Sequence, residues 1–281
     1  MRSTARAVPV GALSVMAVTE TEVAAYVSEA WERGEGGSIV TVNVDILRAA
    51  SRDNALTEVI AKAEIVVADG MPLVWATTVA GSPVPERVTG ASLVSTLSQV
   101  AADAGRSVYL IGGDPGVPEA AGDALAERFP GLKVAGASSP EFGFEKVEEQ
   151  VADLVRRVAE TKPDLVLVGL GFPKQEHLIA RLRPALPAAW MLGCGAGIPM
   201  AAGQFRRAPA LLQRIGAEWL HRLVLEPRRL ARRYLINDLP FAIALLARAA
   251  AGRTRRATSP RGAAEPAVGE ATSVPSLPEA F

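Results

Sequence analysis

Short apolar runs rich in β-branched residues recur along the chain as SIVTVN (38–43), EIVVAD (64–69), SVYLIGG (107–113), LKVAGAS (132–138), DLVLVGLG (164–171) and AAWMLGCG (188–195). Each closes on glycine or a small polar residue. Between most of them lie stretches with helical spacing, such as PEAAGDALAERF (118–129) and KVEEQVADLVRRVAE (146–160). Strands that are apolar throughout, rather than alternating, belong to a parallel sheet covered on both faces. The pattern therefore predicts an α/β fold, a doubly wound, mostly parallel, Rossmann-like sheet over residues 8–203. VPVGALSVMAV (8–18) predicts a first strand, and TETEVAAYVSEAW (19–31), with its Thr cap and early acids, a first helix.

After Gly203 the pattern changes. Residues 205–234 hold eight arginines and one histidine against Glu218 and Glu226. Leu211, Ile215, Trp219 and Leu223 recur at intervals of four, the mark of an amphipathic basic helix. Residues 204–250 are expected to be a basic, membrane-associating helical appendage. A helix-face reading, with Glu218 pairing Arg214 and Arg222, accounts for part of the same pattern. From 251 to 281 the chain is rich in Pro, Ala, Ser and Gly, and disorder is expected. FAIALLARAAA (241–251) is interrupted by Arg248 and reads as too short to span a bilayer. The expected location is cytoplasmic, peripheral at the inner face of the plasma membrane.

Composition narrows the chemistry. Thirty basic residues balance thirty acidic ones, so no global field argues for nucleic acid. One cysteine, Cys194, excludes an intramolecular disulfide, and His177 and His221 are too few for a zinc cluster. No metal and no other cofactor is expected. There is no GxxxxGK, no GxSxG and no Asp-x-Asp pair. A nicotinamide fingerprint is also missing from the first βα unit, which disfavours an oxidoreductase.

Ligands of open α/β sheets sit outside the carboxyl ends of the strands. That rule singles out Thr41, Asn43 and Asp69. It also selects the turns carrying Gly112, Gly113, Gly169, Gly171, Gly193 and Gly195, with Lys174 beside them. Several such turns at successive strand ends suit a diphosphate or sugar nucleotide, although each glycine has a purely structural reading as a tight βα turn. Asp69 equally suits the N-cap of a helix beginning at Met71 or Pro72. Glu86 and Arg87 read either as site residues or as a surface pair.

The set TVNVD (41–45), ADGMPLVWA (68–76), PERVTGASL (85–93), YLIGGDPGVPEAA (109–121), FPGLKVAG (129–136), PDLVLVGLGFPKQE (163–176) and the basic run 206–234 resembles the WecG/TagA/CpsF family of bacterial glycosyltransferases in order and spacing. The resemblance implies an inverting, metal-independent transfer from a nucleotide sugar, UDP-linked, to a polyprenyl-diphosphate-linked acceptor sugar in surface polysaccharide or teichoic-acid synthesis. It implies Asp69 as general base, Thr41 and Asn43 at the acceptor, and Arg87 and Gln175 near the transferring sugar and diphosphate. Arg222, Arg229 and Arg232 would meet lipid phosphates at an anionic membrane surface. Self-association into a homo-oligomer is compatible with all of this. Two positions depart from the family pattern: Pro199 stands where an aspartate associated with the nucleoside is usual, and His177 where a tryptophan is frequent. The first makes a non-catalytic nucleotide-sugar or lipid-diphosphate binding protein the alternative reading.

Overall fold

The computed structural model describes residues 5–204, 208–209, 212, 218, 223–224 and 231–258. All six expected strands form: β3 (Gly37–Val42), β4 (Ile65–Ala68), β5 (Ser107–Ile111), β6 (Lys133–Ser138), β7 (Leu165–Val168) and β8 (Trp190–Gly193). They make one parallel sheet in the order β4-β3-β8-β7-β5-β6. Along the strands the side chains alternate between the two faces of the sheet, both buried except at the edge strand β6, whose first two residues are exposed. Ile39, Leu165 and Leu167 point to one face, where α1 (Glu20–Glu32), α5 (Gly90–Asp103), α6 (Val117–Arg128) and α9 (Gly197–Ala201) pack. Val40, Val42 and Val66 point to the other, against α2 (Val44–Ala50), α3 (Asn54–Ala61) and α4 (Met71–Val79). Val166, Val168 and Met191 share that second face with α7 (Glu148–Thr161) and α8 (Lys174–Leu182). Burial on both faces is why these runs read as continuously apolar.

The N-terminal stretch differs from expectation. Instead of one strand it forms a hairpin of β1 (Ala7–Val10) and β2 (Leu13–Met16), antiparallel and separate from the main sheet. Gly11, at φ +59°, makes the reversal that an L side chain rarely permits. Val8, Val10, Leu13 and Val15 alternate into the core with α2 and α4, a two-residue period on either side of the glycine. Helix α1 begins as expected at Thr19, whose hydroxyl accepts the Glu22 amide.

At the C-terminus a π-helical turn (Arg232–Asp238) leads into α10 (Leu239–Thr258). This helix runs past 250, where a tail was expected to begin, and residues 259–281 lie outside the described residues. The helix is also longer than the run 241–251, which by itself reads as too short to span a bilayer. The helical stretch Tyr234–Thr254 has 21 residues at a mean hydropathy of 1.4, long and apolar enough to cross a bilayer by length and composition. One flank of it is nevertheless spent on the domain, where Ala242 and Leu245 are buried.

Candidate functional site

Strand register builds the site. Val42 pairs with Ala68, so the next residues, Asn43 and Asp69, leave adjacent strands at the same level. The Asp69 amide donates to the Val42 carbonyl at 2.8 Å. Its carboxylate does not cap α4, whose N-cap is Gly70 with no side-chain bond. Instead Asp69 Oδ2 accepts the Gly90 amide at 3.3 Å, at the start of α5. The positive end of a 14-residue helix is a favourable setting for an acid at a strand end. Gly90 lets α5 come this close: a Cβ there would stand 3.1 Å from Cys194 Cα and 3.2 Å from Thr41 Oγ1. Asn43 Oδ1 accepts the Ile46 amide at 3.0 Å and caps α2.

These groups open into a cleft of about 240 Å³ at the carboxyl ends of β3, β4 and β8. Asn43, Asp45, Asp69, Arg87, Thr89 and Cys194 line it from the domain, and Tyr234, Leu235, Asp238 and Leu239 from the C-terminal turn. Among the described residues, two ion pairs tie later segments of the chain to the rim. Arg87 Nη2 meets Glu218 Oε2 at 2.8 Å, with side chains only 16% and 11% exposed. Arg48 bridges Asp45 at 2.5 Å and Asp238 at 3.3 Å. Glu86 and Arg87 are therefore not a surface pair, since Glu86 accepts the Glu20 amide at the start of α1. Glu218 thus has a partner far away in the same chain, Arg87, while Arg214 and Arg222, its expected partners, lie outside the described residues.

Of the residues singled out by sequence, Asp69, Asn43 and Arg87 converge on the cleft. Thr41 lies just beneath it, 6% exposed. Gln175 does not reach it: 4% exposed, it sits behind the β8 turn, where its Oε1 accepts the Gly195 amide at 3.0 Å. Lys174 is held at 2.6 Å by Glu145, with its ammonium 4.7 Å over the Phe142 ring. Most of the glycines have packing reasons, and Gly171 and Gly195 instead sit at φ +75° and +51°. A Cβ on Gly112 would stand 2.6 Å from the Gly169 carbonyl, and one on Gly169 2.7 Å from the Gly195 carbonyl. The amides of Gly112 and Gly169 already donate to Ser138 and Ile111. Gly113 approaches Val117, Gly193 approaches Gln175, and Gly171 faces open space. Arg232 is exposed, whereas Arg222 and Arg229 lie outside the described residues.

Sequence reasoning missed Asp45, Asp238, Tyr234 and Cys194 as lining residues. Asp45 stands within TVNVD and could have been found there; Tyr234 and Asp238 carry no local signal. Burial pushes the Cys194 thiol up to about 12, so it is a neutral wall of the cleft. Among the described residues, no group of three or more His, Cys, Asp or Glu is disposed to hold a metal ion. The described lining carries Asp45, Asp69, Glu218 and Asp238 with Arg87, and Arg48 stands behind Asp45 and Asp238.

Residues 8–255 match the family described as Glycosyl transferase WecG/TagA/CpsF family. The chain is 31% identical over 211 residues, 75% of its length and 80% of the relative's, to an N-acetylglucosaminyldiphosphoundecaprenol N-acetyl-beta-D-mannosaminyltransferase of Staphylococcus aureus (strain NCTC 8325 / PS 47). A protein of the same description from Bacillus spizizenii (strain ATCC 23059 / NRRL B-14472 / W23) is 30% identical over 220 residues, covering 78% of this chain and 83% of the relative.

Proposed function

Because the chain belongs to the WecG/TagA/CpsF family and is a glycosyltransferase, we propose that its cleft transfers a sugar from a nucleotide sugar to an N-acetylglucosamine carried on a polyprenyl diphosphate, in cell-wall polymer synthesis. The observation that carries this reading is the convergence of Asp69, Asn43 and Arg87 on one cleft. An acceptor hydroxyl is a poor nucleophile, and Asp69 takes its proton as oxygen attacks the anomeric carbon. The bond from that carbon to the diphosphate breaks in the same displacement, which inverts the centre and needs no protein nucleophile. Asn43 Oδ1 is occupied by its helix, which leaves its Nδ2 to donate to the acceptor.

Arg87 stabilises the departing diphosphate, and its contact with Glu218 is made with the anionic partner it has before that ligand arrives. Further cations come from Arg222, Arg229 and Arg232, which meet phosphates of donor, lipid acceptor or leaflet. The transfer proceeds without a metal, on arginine charge alone.

The C-terminal helix is the membrane face. Ile236 and Ile243, 65% and 59% exposed, mark the outward flank, with the half-exposed Leu235 and Leu239 at the edge of the cleft beside it, while Ala242 and Leu245 hold the other flank on the domain. A helix so divided lies in the interface, apolar flank toward the acyl layer, which keeps the enzyme peripheral and its cleft at the headgroup level.

The test is a panel of UDP-, GDP- and other nucleotide sugars offered with one polyprenyl-diphosphate-linked N-acetylglucosamine. Release of nucleoside diphosphate only when both substrates are present is expected. Binding of a nucleotide sugar without turnover on the lipid acceptor would establish a binding protein instead. The panel also reads the nucleoside preference at Pro199, which stands in α9 where the family pattern has an acid.

A further inference from the structure

Behind the cleft wall, at the start of α8, Gln175 and Glu176 are 4% and 3% exposed. Gln175 Oε1 accepts the Gly195 amide at 3.0 Å, and its Nε2 donates to Glu176 Oε1 at 2.9 Å. Glu176 Oε2 is buried and makes no hydrogen bond. The pair fits only because β8 ends in glycine. A Cβ at Gly193 would stand 2.6 Å from Gln175 Nε2 and 3.3 Å from Glu176 Oε1.

Leaving a buried polar atom unsatisfied costs about 1–3 kcal/mol, so an apolar side chain would fill this space better if filling were all that mattered. What Glu176 supplies is an acceptor that orients an amide. The two ends of a glutamine amide are nearly isosteric, and turned end for end Gln175 would oppose its NH2 to the Gly195 N–H, donor against donor. With Glu176 Oε1 holding the NH2, the carbonyl must face Gly195. That glycine sits in the turn whose neighbours Cys194, Ala196 and Gly197 line the cleft with Asp69.

We infer that Glu176 is a positioning residue, which acts through Gln175 to set the turn between β8 and α9 and so the wall of the transfer site. This rests on the reading of the cleft as that site. Desolvation pushes the Glu176 carboxyl above the usual carboxylate range, opposed by the Gln175 hydrogen bond. Charged or neutral, the carboxyl keeps an oxygen to accept with, and a glutamine in its place keeps one too. Gln175, otherwise the obvious candidate for touching sugar, becomes the link rather than the contact.

The test compares Glu176→Gln, which keeps an acceptor in place, with Glu176→Leu, which keeps bulk and loses the acceptor, in the full chain. Donor KM, kcat and hydrogen exchange of the Gly195 amide are read for each. Glu176→Gln is expected to stay within about twofold of the parent in kcat and KM. Glu176→Leu is expected to exchange Gly195 about tenfold faster or more, and to lose kcat by about tenfold or more with KM little changed. Unchanged Gly195 exchange and kcat in Glu176→Leu would overturn the inference, as would a Glu176→Gln as impaired as Glu176→Leu. Should the leucine variant not fold, rapid Gly195 exchange in the parent protein overturns it alone. Because exchange is read without turnover, the relay stands or falls separately from the assignment of the cleft.

Discussion

Replacing Asp69 with asparagine removes a proton acceptor while keeping its shape. Asparagine retains an oxygen where Asp69 Oδ2 now accepts the Gly90 amide at 3.3 Å, so the start of α5 need not move. What the fold loses is a charge at the positive end of that helix, about 0.3–1 kcal/mol. For a domain of this size that is a fall of about 2–4 °C in Tm at most. The chemistry loses far more. General-base catalysis contributes about 10²–10⁴ in rate, or about 2.7–5.4 kcal/mol of barrier. The assay is nucleoside diphosphate release with a saturating lipid-linked acceptor, beside calorimetric donor affinity on the same preparation. Turnover is expected to fall about a hundredfold or more with donor Kd within about threefold of the parent. A variant keeping more than about a tenth of parental turnover would refute the role, since no positioned base contributes so little. Loss of donor binding equal to the loss of turnover would make Asp69 a ligand instead.

Glu176 also makes stability depend on pH. Its carboxyl is raised from an ordinary 4.5 in the folded chain, so above that pH the folded state binds the extra proton and stability falls as pH rises. Glu176→Gln should therefore match the parent in Tm below pH 4.5, gain on it as pH rises from there, and hold a constant margin once the folded carboxyl itself ionises; a difference independent of pH would contradict the effect of burial. Cys194, pushed up to about 12, is about 10⁻⁴ thiolate at pH 8 and buried, so iodoacetamide should label it only after denaturation. Rapid labelling of the native protein would mean that the cleft wall opens. Glutamates at Ile236 and Ile243, 65% and 59% exposed, should leave Tm unchanged and weaken retention on anionic vesicles tenfold or more, at about 1.5–3 kcal/mol per buried isoleucine. Undiminished flotation would show that another surface meets the membrane.

Five of the six parallel strands were legible because burial on both faces leaves an uninterrupted apolar run that stops where the chain must turn; β6, at the sheet edge and mostly unburied, was legible as a short run between two helical stretches. Asp69 and Asn43 were legible for the same reason: a polar residue at the end of such a run can only be at the rim. The hairpin was hidden because Gly11 joins two alternating runs too short to separate from one strand by eye. The family resemblance implied Gln175 near the transferring sugar, but the glycine at 193 leaves room for it behind β8, and nothing in PKQE records that.

Local pattern thus determined which segments leave water, where each strand ends and which polar residues stand at those ends, since these depend on a residue and its near neighbours. Only the tertiary structure decided which ends meet. Arg87 finds Glu218 across 131 residues, and Arg48 finds Asp238 across 190. Those meetings follow from strand order and from the packing of the C-terminal helix on α4. The physical reason is that a contact between distant segments is fixed by the summed burial of whole elements, so no short stretch of sequence carries it.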